Sequence, residues 1–446
     1  MLGEISISLI YNAHYETMDR DELSKLQLLR LQQMIDYCIT HVPFYKKKLS
    51  EAGITSGDQI KTLKDINKIP FTTKEDIRNN YPDGFLAVPM TDVARVHASS
   101  GTTGKPTIGY YTKKDMEIWA DASARVLSLN GLTSEDVMQI SVGYGLFTGA
   151  LGFHQGAEKI GCTIVPASTG NTQKQLVMMR DIGATVLMAT PSYATYLSDL
   201  ISQSNTPDNE FKIKRVLLGA ERCTKSMRET IEKNLGVTTA DNYGLTEFFG
   251  PGVAGECEYR CGMHISEDYF YPEIINPETG TVLSDGEQGE LVFTSLLREG
   301  MPLLRYRTRD ITTLNHEKCE CGRTSVRMQA PFARTDDMFV FKGVNVFPTQ
   351  IESAIDCVKE LSPYYHIKLE RNERHQDTGT VFVELKKAIC LYSDKELEKI
   401  KAELDYSLRE IVIVKLNTKL VEPETLQRFV GKAKRVEDLR YCNEKS

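Results

Sequence analysis

Residues 99–105 read Ser99-Ser100-Gly101-Thr102-Thr103-Gly104-Lys105. Four hydroxyl side chains, two glycines and a lysine within seven positions can turn backbone N–H groups, hydroxyls and an ammonium onto one polyanion, most simply a nucleotide triphosphate. The spacing is not that of a Walker loop, which sets four residues between its glycines, ends in Lys-Ser or Lys-Thr and opens a helix. Here Thr102 and Thr103 alone separate Gly101 from Gly104, and Pro106 drives Lys105 toward extended geometry. Ile108, Tyr110, Tyr111 and Thr112 then favour a strand. The segment is therefore expected to join two strands and close over phosphates without docking a helix end on them.

Four further segments carry chemistry. Asp241-Asn242-Tyr243-Gly244-Leu245-Thr246-Glu247 gathers an aromatic, a hydroxyl and a carboxylate that can stack a base, touch a phosphate and hold Mg2+. Arg305-Tyr306-Arg307-Thr308-Arg309-Asp310 ends in a carboxylate able to accept two hydrogen bonds from ribose hydroxyls. Arg334-Thr335-Asp336-Asp337-Met338 precedes Lys342-Gly343-Val344-Asn345-Val346-Phe347-Pro348, and Gly431-Lys432-Ala433-Lys434-Arg435-Val436 comes near the end. Taken singly, these are an ordinary turn, an ion-pair run, a polar linker and a basic tail. A different chemistry is offered by Cys257-x3-Cys261-x2-His264, followed some fifty-five residues later by Cys319-x-Cys321, with His316 nearby. Soft ligands in two clusters of a reduced chain point to structural zinc.

The elements that must position these groups follow from periodicity. Leu28, Leu31, Ile35 and Cys38 line one face of a helix over 21–41 that Pro43 ends. From about 95 to 250, apolar runs at Val137–Val142, Thr163–Val165, Val186–Ala189 and Val216–Leu218 alternate with helical patterns at 113–130, 172–183, 192–203 and 224–235. That alternation predicts an α/β fold on a largely parallel sheet. Residues 255–330 turn β-rich, with turns at Asn276-Pro277 and Asp285-Gly286 and a strand at Glu290–Thr294.

A small α+β region closes the chain. Its strands are expected at Met338–Phe341, Tyr365–Leu369, Val381–Leu385 and Ile411–Leu420. Its helices should open on capping boxes at Thr349-Gln350-Ile351-Glu352 and Ser393-Asp394-Lys395-Glu396. The division expected is a large domain over 1–334 and a small one over 335–446.

The 446 residues, 41% hydrophobic and 26% charged, are ordinary for a globular protein, and a net charge of -7 argues against nucleic acid as a partner. The stretch Ile5–Ile10 is short and broken by Ser6 and Ser8, so neither a secretory signal nor a membrane span is expected. Ten cysteines are then expected to sit reduced in the cytoplasm. Assembly is left open, a homodimer among the options.

Taken together and in this order, the five segments resemble those of the adenylate-forming enzymes: acyl-CoA synthetases, adenylation domains and luciferases. Gly143-Tyr144-Gly145-Leu146-Phe147-Thr148-Gly149, Gly250-Pro251-Gly252-Val253-Ala254, Gly343–Pro348 and Gly431-Lys432-Ala433 narrow the likeness to phenylacetate–CoA ligases, over about residues 22–441. The resemblance implies two steps, acyl-AMP formation from ATP and a small aromatic carboxylic acid, then displacement of AMP by CoA. It implies that Lys432, Thr246 and Glu247 are catalytic, with Glu247 on Mg2+. Ser99–Lys105 would hold the β- and γ-phosphates. Gly219, Ala220 and Glu221, with Asp241, Asn242, Tyr243 and Gly244, would line the adenine site. Asp310 would take the ribose, and Arg334 would belong to the same nucleotide site. Asp336 would be the hinge about which the small domain swings to bring Lys342 and Gly343 to the CoA path.

The same resemblance lines the acid pocket with Tyr144, Phe147, Gly149, Ala220 and Pro251. Val142 stands where a tyrosine is usual and Asn242 where an apolar residue is usual, which favours a hydroxylated or bicyclic aryl acid. It also selects Cys257, His264, Cys319 and Cys321 as the zinc ligands, with Cys261 spare. Two other readings are an adenylation module serving a carrier protein and a non-catalytic nucleotide sensor. Retention of Lys432, Glu247 and Asp310 speaks against the sensor.

Overall fold

The computed structural model describes residues 9–99, 106–203, 210–331, 333–334, 338–341, 344–371, 377–412, 414–429, 433 and 435–440, with backbone alone at 340, 344 and 345. Ser100–Lys105, Asp336, Lys342, Gly343 and Lys432 thus lie outside the described residues. The chain packs as two compact units. One comprises Met1–Ala189, Asp208–Ala220 and Ala240–Pro331, the other Thr190–Pro207, Glu221–Thr239 and Phe332–Ser446.

In the first unit the helix Arg20–His41 buries Leu31, Ile35 and Cys38. Pro43 ends it and also opens the next helix, Pro43–Glu51, at the first position, where no amide donor is needed. Val93–Ala98 and Ile108–Thr112 form the expected hairpin, with His97 opposite Gly109. The Thr112 hydroxyl and the Asp115 carboxylate exchange backbone N–H bonds at 3.1 and 3.0 Å, which starts the helix Lys113–Leu129.

A nine-stranded sheet forms the main layer. Its Thr163–Val165, Val137–Ile140, Val186–Ala189 and Arg215–Leu218 strands pair in parallel, as expected. Beyond Thr238–Leu245 the sense changes, and Gly250–Glu256, Met263–Ile265, Arg327–Met328 and Leu314–Asn315 pair antiparallel. A single short turn, Thr246–Phe248, joins the first two of these strands, and so tight a reversal permits no parallel pairing. A further antiparallel sheet is made by Phe270–Ile275, Gly289–Ser295 and Tyr306–Thr312.

The second unit holds helices Pro191–Gln203 and Lys225–Leu235 and a four-stranded sheet ordered Asn417–Val421, Asp377–Leu385, Leu361–Arg371, Val436–Asp438. Two expectations change here, and one strand was not foreseen. The helix Pro348–Asp356 is capped two residues before the Thr349 box, the Phe347 N–H donating to the Gln350 side chain at 3.0 Å. No strand begins at Ile411, because Leu404, Leu408 and Val412 continue the buried face of the helix Asp394–Val412. Val436–Asp438, short and acidic, pairs in parallel with Leu361–Arg371 without any apolar alternation to announce it. The Ser393–Glu396 box forms as expected, at 2.7 and 3.4 Å.

Candidate active site

The turn at Thr246–Phe248 is held from several sides. A Cβ on Gly244 would lie 1.9 Å from the Gly250 carbonyl, so only glycine allows the strands to close this tightly. Three buried groups hold the turn itself. The Tyr111 hydroxyl donates to the Thr246 carbonyl at 2.9 Å, Arg298 donates to the Glu247 carbonyl, and the Tyr306 hydroxyl donates to Glu247 Oε1 at 3.0 Å. Burial pushes the Tyr111 phenol well above its ordinary pKa, with the Arg298 cation pulling the other way. Glu247 is buried, and its second carboxylate oxygen has no protein partner among the described residues.

Tyr243 reaches across to the second sheet, its hydroxyl donating to the buried Asp310 carboxylate at 2.5 Å. One strand, Tyr306–Thr312, therefore grips both the aromatic and the carboxylate of the turn. Asn242 spends its side-chain amide on the Leu218 carbonyl, and Asp241 accepts the Asn242 N–H at 2.9 Å. Gly219 lies so close to Asn242 that a Cβ would come within 2.6 Å of it, and Ala220 follows at φ +70°. These residues leave the carboxyl end of Arg215–Leu218, the edge at which parallel sheets take ligands. The feet of the 100–105 segment are tied, Ser99 N–H to the Thr107 carbonyl at 2.9 Å and Thr107 N–H to Ser99 Oγ at 3.2 Å.

The Gly143–Gly149 segment is anchored by two histidines that no sequence motif singled out. The Leu146 carbonyl accepts from Ala98 N–H at 2.9 Å and faces His97 Nδ1 at 3.0 Å. Tyr144 Oη lies 3.0 Å from His154 Nδ1, and His154 Nε2 lies 3.2 Å from Glu158. Burial, with Glu158 adding to it, pushes the Tyr144 phenol up to about 12. Phe147 is half exposed, and Gly149 opens the helix Gly149–Ile160 against Val142. The Pro251 carbonyl accepts from the Trp119 indole at 2.8 Å and from Ser123 Oγ at 3.2 Å.

Within the second unit, Glu221 accepts two backbone N–H bonds, from Ser192 at 2.6 Å and from Ala433 at 2.9 Å. Arg435 adds a bond to Ser192 Oγ at 3.3 Å and lies over the Tyr365 ring. Arg334 lies on the short strand Ala333–Arg334.

Cys257, His264, Cys319 and Cys321 converge, with all four ligand atoms within 4.8 Å of one another. Cys257 Sγ and Cys319 Sγ are 3.7 Å apart, close to the ~3.8 Å edge of a tetrahedron with Zn–S bonds of about 2.3 Å. His264 turns Nε2 to Cys321 at 3.4 Å and leaves Nδ1 on Ser325 Oγ at 2.9 Å, an outer bond of the kind that orients a histidine ligand. A bond shared with Cys257, with His264 facing it, holds the Cys321 thiol well below its ordinary pKa, and the Cys257 thiol moves up in exchange. His316 instead pairs with Asp285 at 2.9 Å, and the exposed Cys261 stands beside the group, 3.6 Å from Cys319.

Residues 25–296 match the family described as AMP-binding enzyme, and residues 343–440 the one described as AMP-binding enzyme C-terminal domain. The chain is 43% identical to the phenylacetate–coenzyme A ligase of Escherichia coli, over 95% of this chain and 97% of that protein. It is 41% identical to the phenylacetate–coenzyme A ligase of Thermus thermophilus, over 97% and 100%. Among solved structures, a 2-hydroxyisobutyryl-CoA ligase in its postadenylation state with 2-HIB-AMP matches with a TM-score of 0.88 at 27% identity, covering 96% of this chain and 92% of that one.

Proposed function

The chain belongs to the phenylacetate–coenzyme A ligase family of AMP-binding enzymes, and from that premise we propose how its residues join an aromatic acid to CoA. A free carboxylate is a poor acyl donor because oxide does not leave. Attack of the acid's carboxylate oxygen on the α-phosphorus of ATP expels pyrophosphate and gives acyl-AMP. The CoA thiolate then adds to the acyl carbon, AMP leaves, and the thioester forms. In the first step the bonds to phosphorus change nearly in line, so positioning and charge stabilisation dominate.

Thr246 contacts the α-phosphate, and Ser99–Lys105 cradle the β- and γ-phosphates. Asp310, oriented by Tyr243, takes the ribose hydroxyls. Gly219, Ala220 and Glu221 with Asp241–Gly244 line the adenine, and Arg334 serves the same nucleotide. The free oxygen of Glu247 fits a Mg2+ ligand, and the ion when bound supplies charge neutralisation at the phosphates. Lys432 brings its ammonium between the carboxylate and the α-phosphate. The small domain, 335–446, turns about Asp336 between steps, and Lys342 and Gly343 then border the CoA path. Tyr144, Phe147, Gly149, Ala220 and Pro251 receive the aryl group, with Val142 leaving room for a hydroxylated or bicyclic ring.

The observation that supports this reading is the double grip of Tyr306–Thr312 on Tyr243 and Glu247, which holds the Asp310 carboxylate beside the Thr246–Glu247 turn. Three thiols and one imidazole at tetrahedral spacing support structural zinc away from this chemistry. No described helix is long and apolar enough to cross a membrane, and with free cysteines this favours work in the cytoplasm. ATP–pyrophosphate exchange over a panel of carboxylic acids, followed by thioester formation with CoA or a carrier protein, tests the assignment. Exchange with aryl acids and transfer to CoA are expected. Exchange without transfer to CoA would point to the carrier. Clear preference for plain phenylacetate over hydroxyphenylacetate and indoleacetate would overturn the pocket assignment alone.

A further inference from the structure

Arg298 is 1% exposed, yet among the described residues no carboxylate pairs with it. Among the described residues its Nε and Nη2 have no hydrogen-bond partner, while Nη1 donates to the Glu247 carbonyl and the guanidinium lies beside the Tyr111 hydroxyl. The guanidinium lies over the Tyr111 and Phe249 rings, 4.9 Å from each centroid. Ring faces recover part of the cost of taking a cation out of water, and an apolar side chain of equal reach would fill the same space but leave the Glu247 carbonyl without this donor. Packing therefore does not account for a cation here. Its bond to the Glu247 carbonyl does.

We propose that Arg298 is a positioning residue for adenylation, fixing the Thr246–Glu247 turn through the Glu247 carbonyl. Its own backbone is well placed to do this. The N–H groups of Glu299 and Gly300 both donate to Asp115 at 2.8 Å, the carboxylate that caps the helix after the Val93–Thr112 hairpin. Tyr111, on that hairpin, holds the adjacent Thr246 carbonyl at 2.9 Å and lies under the same guanidinium. The hairpin that carries residues 100–105 and the Thr246–Glu247 turn are thus braced to each other, with Arg298 as the cross-member. The inference rests on the reading that this turn serves the phosphates.

Three variants of the intact chain test it: Arg298→Met, Arg298→Lys and Glu247→Gln. Arg298→Met is expected to stay folded, melting within a few degrees of the parent, while pyrophosphate exchange at saturating substrates falls by about a hundredfold, with KM for the acid unchanged. Arg298→Lys, which keeps a donor, should restore most of that rate. A lowered melting temperature with full exchange per folded molecule would make Arg298 merely structural and overturn the proposal. So would Arg298→Lys no faster than Arg298→Met, and this comparison decides the matter should Arg298→Met fail to fold. Unchanged exchange in Glu247→Gln would refute the reading of the turn and the inference with it. A fall in Glu247→Gln without one in Arg298→Met would overturn the inference alone.

Discussion

The Tyr243 hydroxyl donates to the Asp310 carboxylate at 2.5 Å, joining two segments 67 residues apart. A hydrogen bond to a charged acceptor contributes about 1.5–3 kcal/mol. Here it also aims the carboxylate. Tyr243→Phe should raise KM for ATP roughly tenfold, the kinetic equivalent of about 1.4 kcal/mol, with KM for the acid unchanged. Asp310→Ala should raise it further. Steady-state kinetics with ATP as the varied substrate checks both, and equal effects on ATP and acid would refute the ribose role.

Glu221 accepts the N–H of Ala433, the residue after Lys432, and so constrains the chain next to the proposed catalytic lysine. Lys432→Ala should lose adenylation by about a hundredfold or more and keep thioester formation from supplied acyl-AMP. Glu221→Gln has one acceptor oxygen left for two N–H donors, so it should weaken the same half-reaction by a smaller factor. Assaying the halves separately reads this out, and equal loss in both would sink the division.

Tyr144 is oriented by His154, which is itself in contact with Glu158. His154→Ala is expected to raise KM for the aryl acid several-fold and to leave KM for ATP alone. An altered ATP KM would place this group outside the acid pocket.

Purified protein should contain about one zinc per chain. Cys319→Ser or prolonged chelation should lower the melting temperature, because the ion adds a cross-link between the ligands at 257–264 and those at 319–321. Elemental analysis finding no zinc would end the assignment.

Burial also sets an alkaline limit. Desolvation raises the phenols of Tyr37, Tyr144 and Tyr271 to about 12 each, and pushes Tyr45, Tyr269 and Tyr364 higher. An unfolded tyrosine loses its proton near 10. The stabilising contribution is thus fully present below pH 10 and is lost as pH rises toward 12, where the unfolded state sheds protons that the folded state keeps. Urea midpoints should be flat to about pH 9 and fall beyond it, with tyrosinate absorbance appearing together with unfolding. Full tyrosine titration in the folded state would contradict this.

Local signals were legible. Pro106 with the strand-forming 108–112 announced a hairpin in place of a helix, and Ser393 with Glu396 announced a helix start. The two cysteine clusters, 62 residues apart at Cys257 and Cys319, announced a common site because thiols at such spacing have few other uses. What stayed hidden depends on strands that are not consecutive. Tyr111 meets Thr246 across 135 residues and Tyr306 meets Glu247 across 59, and nothing in either local pattern encodes the other. Arg298, His97 and His154 are single polar residues in otherwise unremarked stretches, and their partners are main-chain carbonyls, one hydroxyl and one carboxylate. The Phe347 cap was missed because an aromatic cap offers no hydroxyl, its partner being a glutamine three positions on.

Tyr111 and Arg298 hold carbonyl oxygens of the Thr246–Glu247 turn, not its side chains. Every residue type carries that same carbonyl. At position 246 the shape of the turn is therefore uncoupled from the chemistry displayed on it, and that side chain can be exchanged on a frame that stays put. This makes it a cassette for redesign, in which a changed rate reports the new functional group and not a collapsed loop.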